Sequence, residues 1–222
     1  MTTTLFIPTA EAAFIANLTD RQMHRVVDEH LVPKPLMEHH SSHRQFTRLG
    51  AALANFYFAT EDLLVAGARR QVLDELGARV EALQAKDKVL TLTLTLLDSM
   101  SWKVERKHVE IDVFPFVQAA SFRAKEVERA DSLVESSPDV MGGMPVFAGT
   151  RVPVSTVLGS LEEHVPLARL KASYPFLTEA HIQAAKVYCE VHPRRGRPRR
   201  LVDVNPALTP RSSRIIERTA KV

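Results

Sequence analysis

The stretch from Ser136 to Arg200 restricts the fold more than any other part of this 222-residue chain. Glycines and prolines divide it into pieces that are too short for a long helix or a wide sheet. The reversals at 142–143 and 149–150 contain glycine, which adopts a positive φ without steric hindrance. The short apolar segments 146–147 and 151–154 between and after these turns therefore predict a β-hairpin.

Helical segments follow the hairpin in the sequence. Pro166 suits a first helical turn, and Thr178 suits the N-cap of a longer helix. We predict three short helices, over residues 155–164, 166–173 and 178–191. The hairpin and these helices together predict a small trihelical domain over residues 133–191.

The chain ends in a basic tail, residues 192–222. The tail holds eight Arg and one Lys against one Asp and one Glu, a net charge of +7, so the rest of the +3 chain carries −4. Arg outnumbers Lys there, and its planar guanidinium matches carboxylate and phosphate groups, whereas a merely solubilising tail would not need that bias. Four prolines and the like charges predict a disordered or loosely extended tail in the free protein. The candidate contact residues are Arg194, Arg195, Arg197, Arg199 and Arg200.

Residues 1–60 have the pattern of a helix-turn-helix followed by a polar loop over residues 39–44 and a third helix from Phe46 to Phe58. Thr19 and Gln22 form a capping box that starts the second helix, in which Met23, Val26 and Val27 have helical apolar spacing. With the loop as a wing, this layout predicts a winged helix-turn-helix whose second helix enters the major groove. The residues expected to contact DNA are Arg21, Gln22, His24 and Arg25 on this helix, and Lys34, His43 and Arg44 beside it.

Two alternatives to DNA binding by residues 1–60 stay open, and a metal site in this region is rejected. A small helical bundle without a DNA role fits the same pattern, and the C-terminal helices are an alternative DNA-reading unit. Glu38, His39 and His43 lie close together in the sequence, but a structural zinc site needs four well-placed ligands and no Cys is near. We therefore predict a solvated wing without metal.

The middle of the chain, residues 61–132, is expected to connect these modules. Leu73, Leu76, Val80 and Leu83 predict a helix that runs from about Glu61 to Lys86 and packs on a core or on a second copy. Alternating residues predict strands at 90–97 and 109–113, joined by a polar stretch. Residues 116–135 are expected to be helical at first and then extended. The apolar stripe and the strand predict a homodimer joined through residues 61–113.

Two segments resemble known families. Residues 5–60 resemble the MerR-like DNA-binding domain in Thr9–Ala13, Asp20–Val27 and Arg44–Phe46. Residues 133–200 resemble the VapB-type antitoxins, a family once filed as a domain of unknown function. His164 stands where that family commonly has Gly, a departure expected to alter the turn without undoing the fold. The matching positions are Gly142-Gly143, Pro145-Val146, Gly149–Val154, Tyr174-Pro175, Leu177-Thr178 and the basic close.

The second resemblance implies an antitoxin that binds and silences a PIN-domain ribonuclease and represses its own operon. It also implies that arginines of the tail enter the carboxylate cluster of the nuclease. The alternative is a stand-alone transcriptional regulator without a toxin, which the absence of a neighbouring PIN-domain gene would favour.

The fold class expected for the whole chain is mainly α with short β elements: an N-terminal winged helix-turn-helix and a C-terminal hairpin with three helices. No nucleophile–base pair, phosphate loop or metal set stands out, so we expect neither an enzyme nor a cofactor. One Cys and the lack of a signal peptide or a long apolar run predict a cytoplasmic protein.

Overall fold

The computed structural model of the protein describes residues 5–40, 43–93, 97–98 and 100–193. Within these ranges the chain is mainly helical and carries three small antiparallel sheets. The predicted fold class is confirmed at this level. The tail from Arg194 onward lies outside the described residues, and so does the centre of the segment 90–97.

The N-terminal part forms three helices and a three-stranded sheet. Its elements are β1 (Ile7–Pro8), α1 (Thr9–Ala16), α2 (Asp20–Asp28), a 3-10 turn (Lys34–Leu36), β2 (Met37–His40), β3 (His43–Phe46) and α3 (Arg48–Ala59). The sheet has the order β1-β3-β2, and both pairings are antiparallel. The expected helices are therefore present in the expected order.

The predicted polar loop at residues 39–44 is instead an antiparallel hairpin made by β2 and β3. The helix expected to start at Phe46 begins at Arg48, because Phe46 is a buried strand residue and Thr47 caps the helix by accepting from the Gly50 amide. Gly50 is required at this place, since an added Cβ would overlap the carbonyl oxygen of Leu36. The hairpin thus runs directly into α3.

The middle of the chain contains α4 (Ala66–Glu81), α5 (Lys86–Leu90), β4 (Lys103–Arg106), β5 (Val109–Asp112) and α6 (Phe114–Leu133). The strand predicted at 90–97 is wrong at the described positions, because Leu90 ends α5 and Leu92 has a left-handed φ of 58°. Leu90 and Leu92 are both buried, so a turn can present alternating leucines to the core as a strand does. The strand at Val109 is confirmed, but its partner is β4.

The leucine stripe of α4 faces the protein's own core. Leu73, Leu76 and Val80 are almost completely buried, and Leu83 packs against the same core. The leucine stripe therefore no longer supports the expected homodimer, since this apolar face is already covered within the chain. A homodimer stays a prediction that rests on the two-fold symmetry of DNA sites.

The C-terminal part contains β6 (Val134–Glu135), β7 (Val146–Phe147), α7 (Val154–Glu162), α8 (Leu167–Ser173) and α9 (Glu179–Val191). The three predicted helices are confirmed, and Thr178 caps α9 as expected. The predicted hairpin of 146–147 with 151–154 is present only as one antiparallel bridge, and β7 forms its ladder with β6. In this bridge, between Val146 and Pro153, the Phe147 amide donates to the Val152 carbonyl and the Val154 amide donates to the Pro145 carbonyl. The pairing stops there because the chain enters α7 at Val154.

Two hydrophobic cores organise these elements. The large core takes residues from α1 to α6 and from one face of α9, including Ala184 and Val187. The small core surrounds Phe147 and takes Ile182 and Ala185 from the other face of α9. In the large core the ring of Phe56 in α3 meets the ring of Phe116 in α6 edge to face at 5.5 Å. The segments on either side of residue 60 therefore share one core, and the predicted domain boundaries stay predictions.

A buried arginine joins three helices of the large core. Arg48, at the start of α3, pairs with Glu128 of α6 and lies 3.5 Å from Glu11 of α1. Arg48 and Glu11 are both buried. Burial raises the pKa of the Glu11 carboxyl, and the charge of Arg48 partly opposes this rise. Glu11 therefore depends on Arg48 for the only cation placed against it by a salt bridge in the part of the chain that the structure describes.

Replacing Arg48 should destabilise the fold in a pH-dependent way. Arg48→Met leaves Glu11 buried without its cation, and such a loss lowers the free energy of unfolding by about 3–5 kcal/mol at pH 7. Arg48 opposes the rise that burial causes, so its loss raises the pKa of Glu11 further and the variant takes up the proton at a higher pH than the unchanged chain. The deficit should therefore shrink as the pH falls from 7 to 5. Urea unfolding at both pH values measures it.

The matched control is Glu11→Gln/Arg48→Met. Because the uncharged amide needs no cation, this double variant should be more stable at pH 7 than Arg48→Met alone. Equal deficits of Arg48→Met at the two pH values would show that the unpaired carboxylate is not the cause.

The turn after α7 has His164 at the position where the antitoxin family that this segment resembles commonly has Gly. His164 has a left-handed φ of 61°, and the Val165 amide donates to the Ser160 carbonyl, as in a Schellman helix end. A left-handed conformation is unfavourable for residues with a Cβ. The expectation that His164 leaves the fold intact is confirmed, since α7 and α8 both form.

Restoring glycine at this turn should stabilise the protein. His164→Gly relieves the left-handed strain and should raise the free energy of unfolding by about 1 kcal/mol. The neighbouring change Glu163→Gly is the control, because Glu163 has a φ of −78° and gains nothing from glycine. Thermal unfolding of the two variants should shift in opposite directions, and a lower midpoint for His164→Gly would contradict the strain argument.

Candidate nucleic-acid interface

The first two helices meet at a three-residue turn, Asn17–Thr19. Asn17 has a left-handed φ of 53° and its amide donates to the Phe14 carbonyl at 3.1 Å, which ends α1. Met23, Val26 and Val27 place one face of α2 in the large core. The opposite face is therefore directed to solvent, as the apolar spacing predicted.

Most of the predicted contact residues of α2 lie on this outer face. Arg21, His24 and Arg25 are exposed, and Gln22 is half-buried. Gln22 has another role, because its Oε1 accepts hydrogen bonds from the Thr19 amide at 3.0 Å and from the Thr19 hydroxyl at 2.8 Å. The capping box is confirmed, and it occupies the carbonyl that would otherwise meet a base edge. The role of Gln22 that the structure shows is therefore to cap the start of α2.

Two acidic residues at the end of α2 pair with the predicted cations. The Nε of Arg25 lies 2.7 Å from Glu29, and its guanidinium lies 5.3 Å from the centre of the Phe58 ring. The hydrogen bond with Glu29 raises the pKa of Arg25, and the same bond lowers the pKa of Glu29. Because the pair is exposed to solvent, a phosphate can replace the carboxylate as the partner of Arg25.

A second ion pair connects the hairpin to α2. Arg44 of β3 donates to Asp28 at 2.9 Å, although the two residues are 16 positions apart. The structure thus brings Arg44 to the same surface as Arg25. His43 lies at the start of β3 in register with His40, and Lys34 is exposed on the 3-10 turn before β2.

A polar cleft lies behind the turn between α1 and α2. Its volume is about 420 Å³, and Asn17 and Gln22 form one side while Gln183 and Glu190 of α9 form the other. Arg123 of α6 lines the floor and donates to the Phe14 carbonyl at 2.9 Å. Sequence patterns gave no sign of this cleft, because its sides are separated by more than a hundred residues. The cleft places the start of α2 next to the C-terminal helix.

The predicted tail contacts, Arg194 to Arg200, lie outside the described residues, but the root of the tail is described. The Nε2 of His192 lies 3.2 Å from the Asp131 carboxylate of α6, and its ring is 4.3 Å from the ring of Tyr188. Burial raises the pKa of the Tyr188 hydroxyl. The tail therefore starts at the junction of α6 and α9.

The described residues were compared with the requirements of a metal site and of a membrane-spanning helix. Among the residues that the structure describes, no group of three or more His, Cys, Asp and Glu side chains could hold a metal ion. Within the same residues, every helix is too short or too polar to cross a membrane.

Comparison with known proteins identifies the family. A family described as a protein of unknown function (DUF433) matches residues 134–189, from β6 into α9. Over 191 residues the chain is 32% identical to the uncharacterized protein y4eO of Sinorhizobium fredii (strain NBRC 101917 / NGR234), covering 86% of this chain and 83% of that protein. The chain belongs to the same family as y4eO.

One solved structure aligns over much of the chain. The crystal structure of Rv2018 from Mycobacterium tuberculosis is 16% identical and covers 83% of this chain and 98% of that chain. Its TM-score is 0.36, so the two folds agree too loosely for any structural argument. The family segment 134–189 and the relationship to y4eO are therefore what the comparisons contribute.

Proposed function

We propose that the protein is the antitoxin of a type II toxin–antitoxin pair. It binds and inhibits a PIN-domain ribonuclease and represses its own operon by binding operator DNA. The observation that carries the proposal is the surface formed by α2 and the β2–β3 hairpin: Arg21 and Arg25 are exposed on α2, and Arg44 of β3 pairs with Asp28 of the same helix. In this proposal the chain works in the cytoplasm, has no catalytic activity and needs no cofactor.

The DNA-binding half follows from the order and exposure of the N-terminal elements. A short helix, a three-residue turn, a capped second helix and an antiparallel hairpin are the parts of a winged helix-turn-helix. Arg21 and His24 are exposed in the first turns of α2, which is the part of a recognition helix that meets base edges. Arg44 and Lys34 flank α2 and suit contacts with phosphate.

The antitoxin half is supported by the C-terminal domain and by the chemistry of the tail. Residues 133–200 resemble VapB-type antitoxins, and the tail begins at His192 beside a folded domain of three helices. A PIN nuclease holds metal with a cluster of carboxylates, and an arginine can form charge-assisted, bidentate hydrogen bonds with such a cluster. Residues 192–222 reach about 100 Å when extended, which is enough to wrap a small nuclease.

The polar cleft favours a second candidate function, a stand-alone regulator without a toxin. Its volume of about 420 Å³ lies in the range of small-molecule sites, and it adjoins the turn that precedes α2. A ligand there could alter DNA binding directly. Co-expression with the product of a neighbouring PIN-domain gene, followed by a pull-down, distinguishes the two candidates.

The first prediction from this proposal concerns DNA. Arg21→Ala/Arg25→Ala should weaken binding to the chain's own upstream region, because each base-reading arginine contributes about 1–3 kcal/mol. The control is Arg169→Ala/Lys171→Ala, which removes the same charge from exposed positions of α8. Fluorescence anisotropy at one fixed salt concentration measures both. Unchanged affinity of the first variant, with binding lost on removal of the tail, would place the DNA site at the other end.

The second prediction concerns inhibition of the nuclease. A chain truncated after Pro193 keeps the His192–Asp131 contact and should still bind the toxin through the folded domain, while RNA cleavage returns. Replacing the five arginines between 194 and 200 by lysine keeps the charge but removes the planar guanidinium, and should restore cleavage in part. RNA cleavage is measured at equal occupancy of the toxin. If the truncated chain inhibits as well as the full chain, inhibition comes from the folded domain alone.

A further inference from the structure

A groove lies between α7 and α9 at the place where the tail leaves the folded domain. Its volume is about 330 Å³. Pro145, Val154 and Leu158 line one side, and Tyr188, Cys189 and His192 line the other. The groove is therefore mainly apolar, and it ends at the residue from which the tail starts.

The groove has room for additional side chains. Gly159 lines it, and a Cβ built on Gly159 would meet no atom within 4 Å. Leu158 and Tyr188 are only half-buried, so part of their apolar surface faces the groove uncovered by the described residues. Met144, next to Pro145 in the sequence, is 38% exposed. Covering this surface with apolar groups would be favourable, since burial removes it from water.

We propose that the first part of the tail of the same chain occupies this groove in the free protein, whereas composition alone predicts a disordered or loosely extended tail throughout. Residues 194–200 pass the rim, and the apolar side chains of Leu201, Val202 and Val204 lie in the groove. The first argument is attachment, because His192 belongs both to the groove lining and to the start of the tail. A segment tethered this closely has an effective concentration in the millimolar range, which favours it over a separate partner of equal chemistry.

Charge and length agree with this occupant. Glu162, on α7, is the only carboxylate among the described lining residues, and five arginines occur within 194–200. Those seven residues span about 23 Å when extended, whereas α7 rises about 12 Å between Val154 and Glu162. The tail can therefore pass Glu162 and return along the groove. The contact of His192 with Asp131 fixes the point from which it starts.

The inference concerns the free protein, and only its biological consequence rests on the proposed function. If the arginines meet a nuclease as proposed, the toxin must first draw the tail away from the groove. The fraction of molecules with a released tail then sets the apparent affinity. The folded domain would thus regulate its own inhibitory segment.

The chain carries its own reporter for the test. Cys189 is the single cysteine, it is exposed, and it lines the groove. The rate of its reaction with the disulfide reagent DTNB therefore measures how far the groove is covered. We expect truncation after Pro193 to raise this rate severalfold, with the helical circular dichroism signal of the folded domain retained. Equal rates in the two chains would overturn the proposal.

A charge variant and a peptide make the test specific. Glu162→Arg should raise the rate in the full chain and leave it nearly unchanged in the truncated chain, whereas the control Glu179→Arg, on the exposed start of α9, should change neither. A peptide of residues 194–222 added to the truncated chain should slow the reaction, and a scrambled peptide of the same composition should not. Equal slowing by the two peptides would mean that charge alone covers the thiol, against the proposal.

A second copy of the chain is the competing occupant. If the rate falls with increasing protein concentration, in the truncated chain as in the full chain, a dimer covers the groove and the proposal is wrong. The assay contains neither toxin nor DNA. Its failure therefore leaves the proposed function untouched, and a failure to inhibit the nuclease leaves this result untouched.

Discussion

The buried cation of Arg48 holds the molecule together at the meeting point of α1, α3 and α6. Its guanidinium lies between Glu11 and Glu128, so one side chain links the first helix of the candidate DNA-binding unit to the long helix on which the C-terminal helix packs. Arg123 repeats this link at the other end of α1, where it donates to the Phe14 carbonyl. The position of α2 therefore depends on α6 as much as on its own turn.

The sequence predicted the elements whose signals are local and missed those decided by distant contacts. The capping box at Thr19, the N-cap at Thr178 and the apolar spacing of α2 identified two helices with their starting residues. The alternating leucines near Leu90 gave the wrong element because a turn buries them equally well. The β4–β5 hairpin was missed because its turn uses Lys107 and His108 at positive φ, where glycine or asparagine is the usual signal. The pairing of β7 with β6 was likewise missed, because it depends on tertiary contacts and not on a local sequence signal.

The sequence predicted which face of α2 carries the candidate site, but it did not predict all of the ion pairs at that site. Spacing alone placed Arg21, His24 and Arg25 on the outer face of α2. The pair of Arg25 with Glu29 could have been found from the sequence, because residues four apart are neighbours on a helix. The pair of Arg44 with Asp28 could not, since it requires the hairpin to fold against α2. Arg48 gave no signal at all, because in the sequence it is an ordinary cation at the start of a helix.

Helix α9 contributes to both hydrophobic cores, since one of its faces completes the large core and the other completes the small core. The family segment 134–189 ends within this helix, so it contains Ala184 and Val187 but not the large core that they pack against. Any chain that carries the segment behind a different N-terminal half must provide another apolar surface for Ala184 and Val187. The segment can therefore be transferred only to chains that offer such an apolar surface. A graft of residues 134–189 alone onto an unrelated carrier would leave the apolar face of α9 with Ala184 and Val187 exposed to solvent.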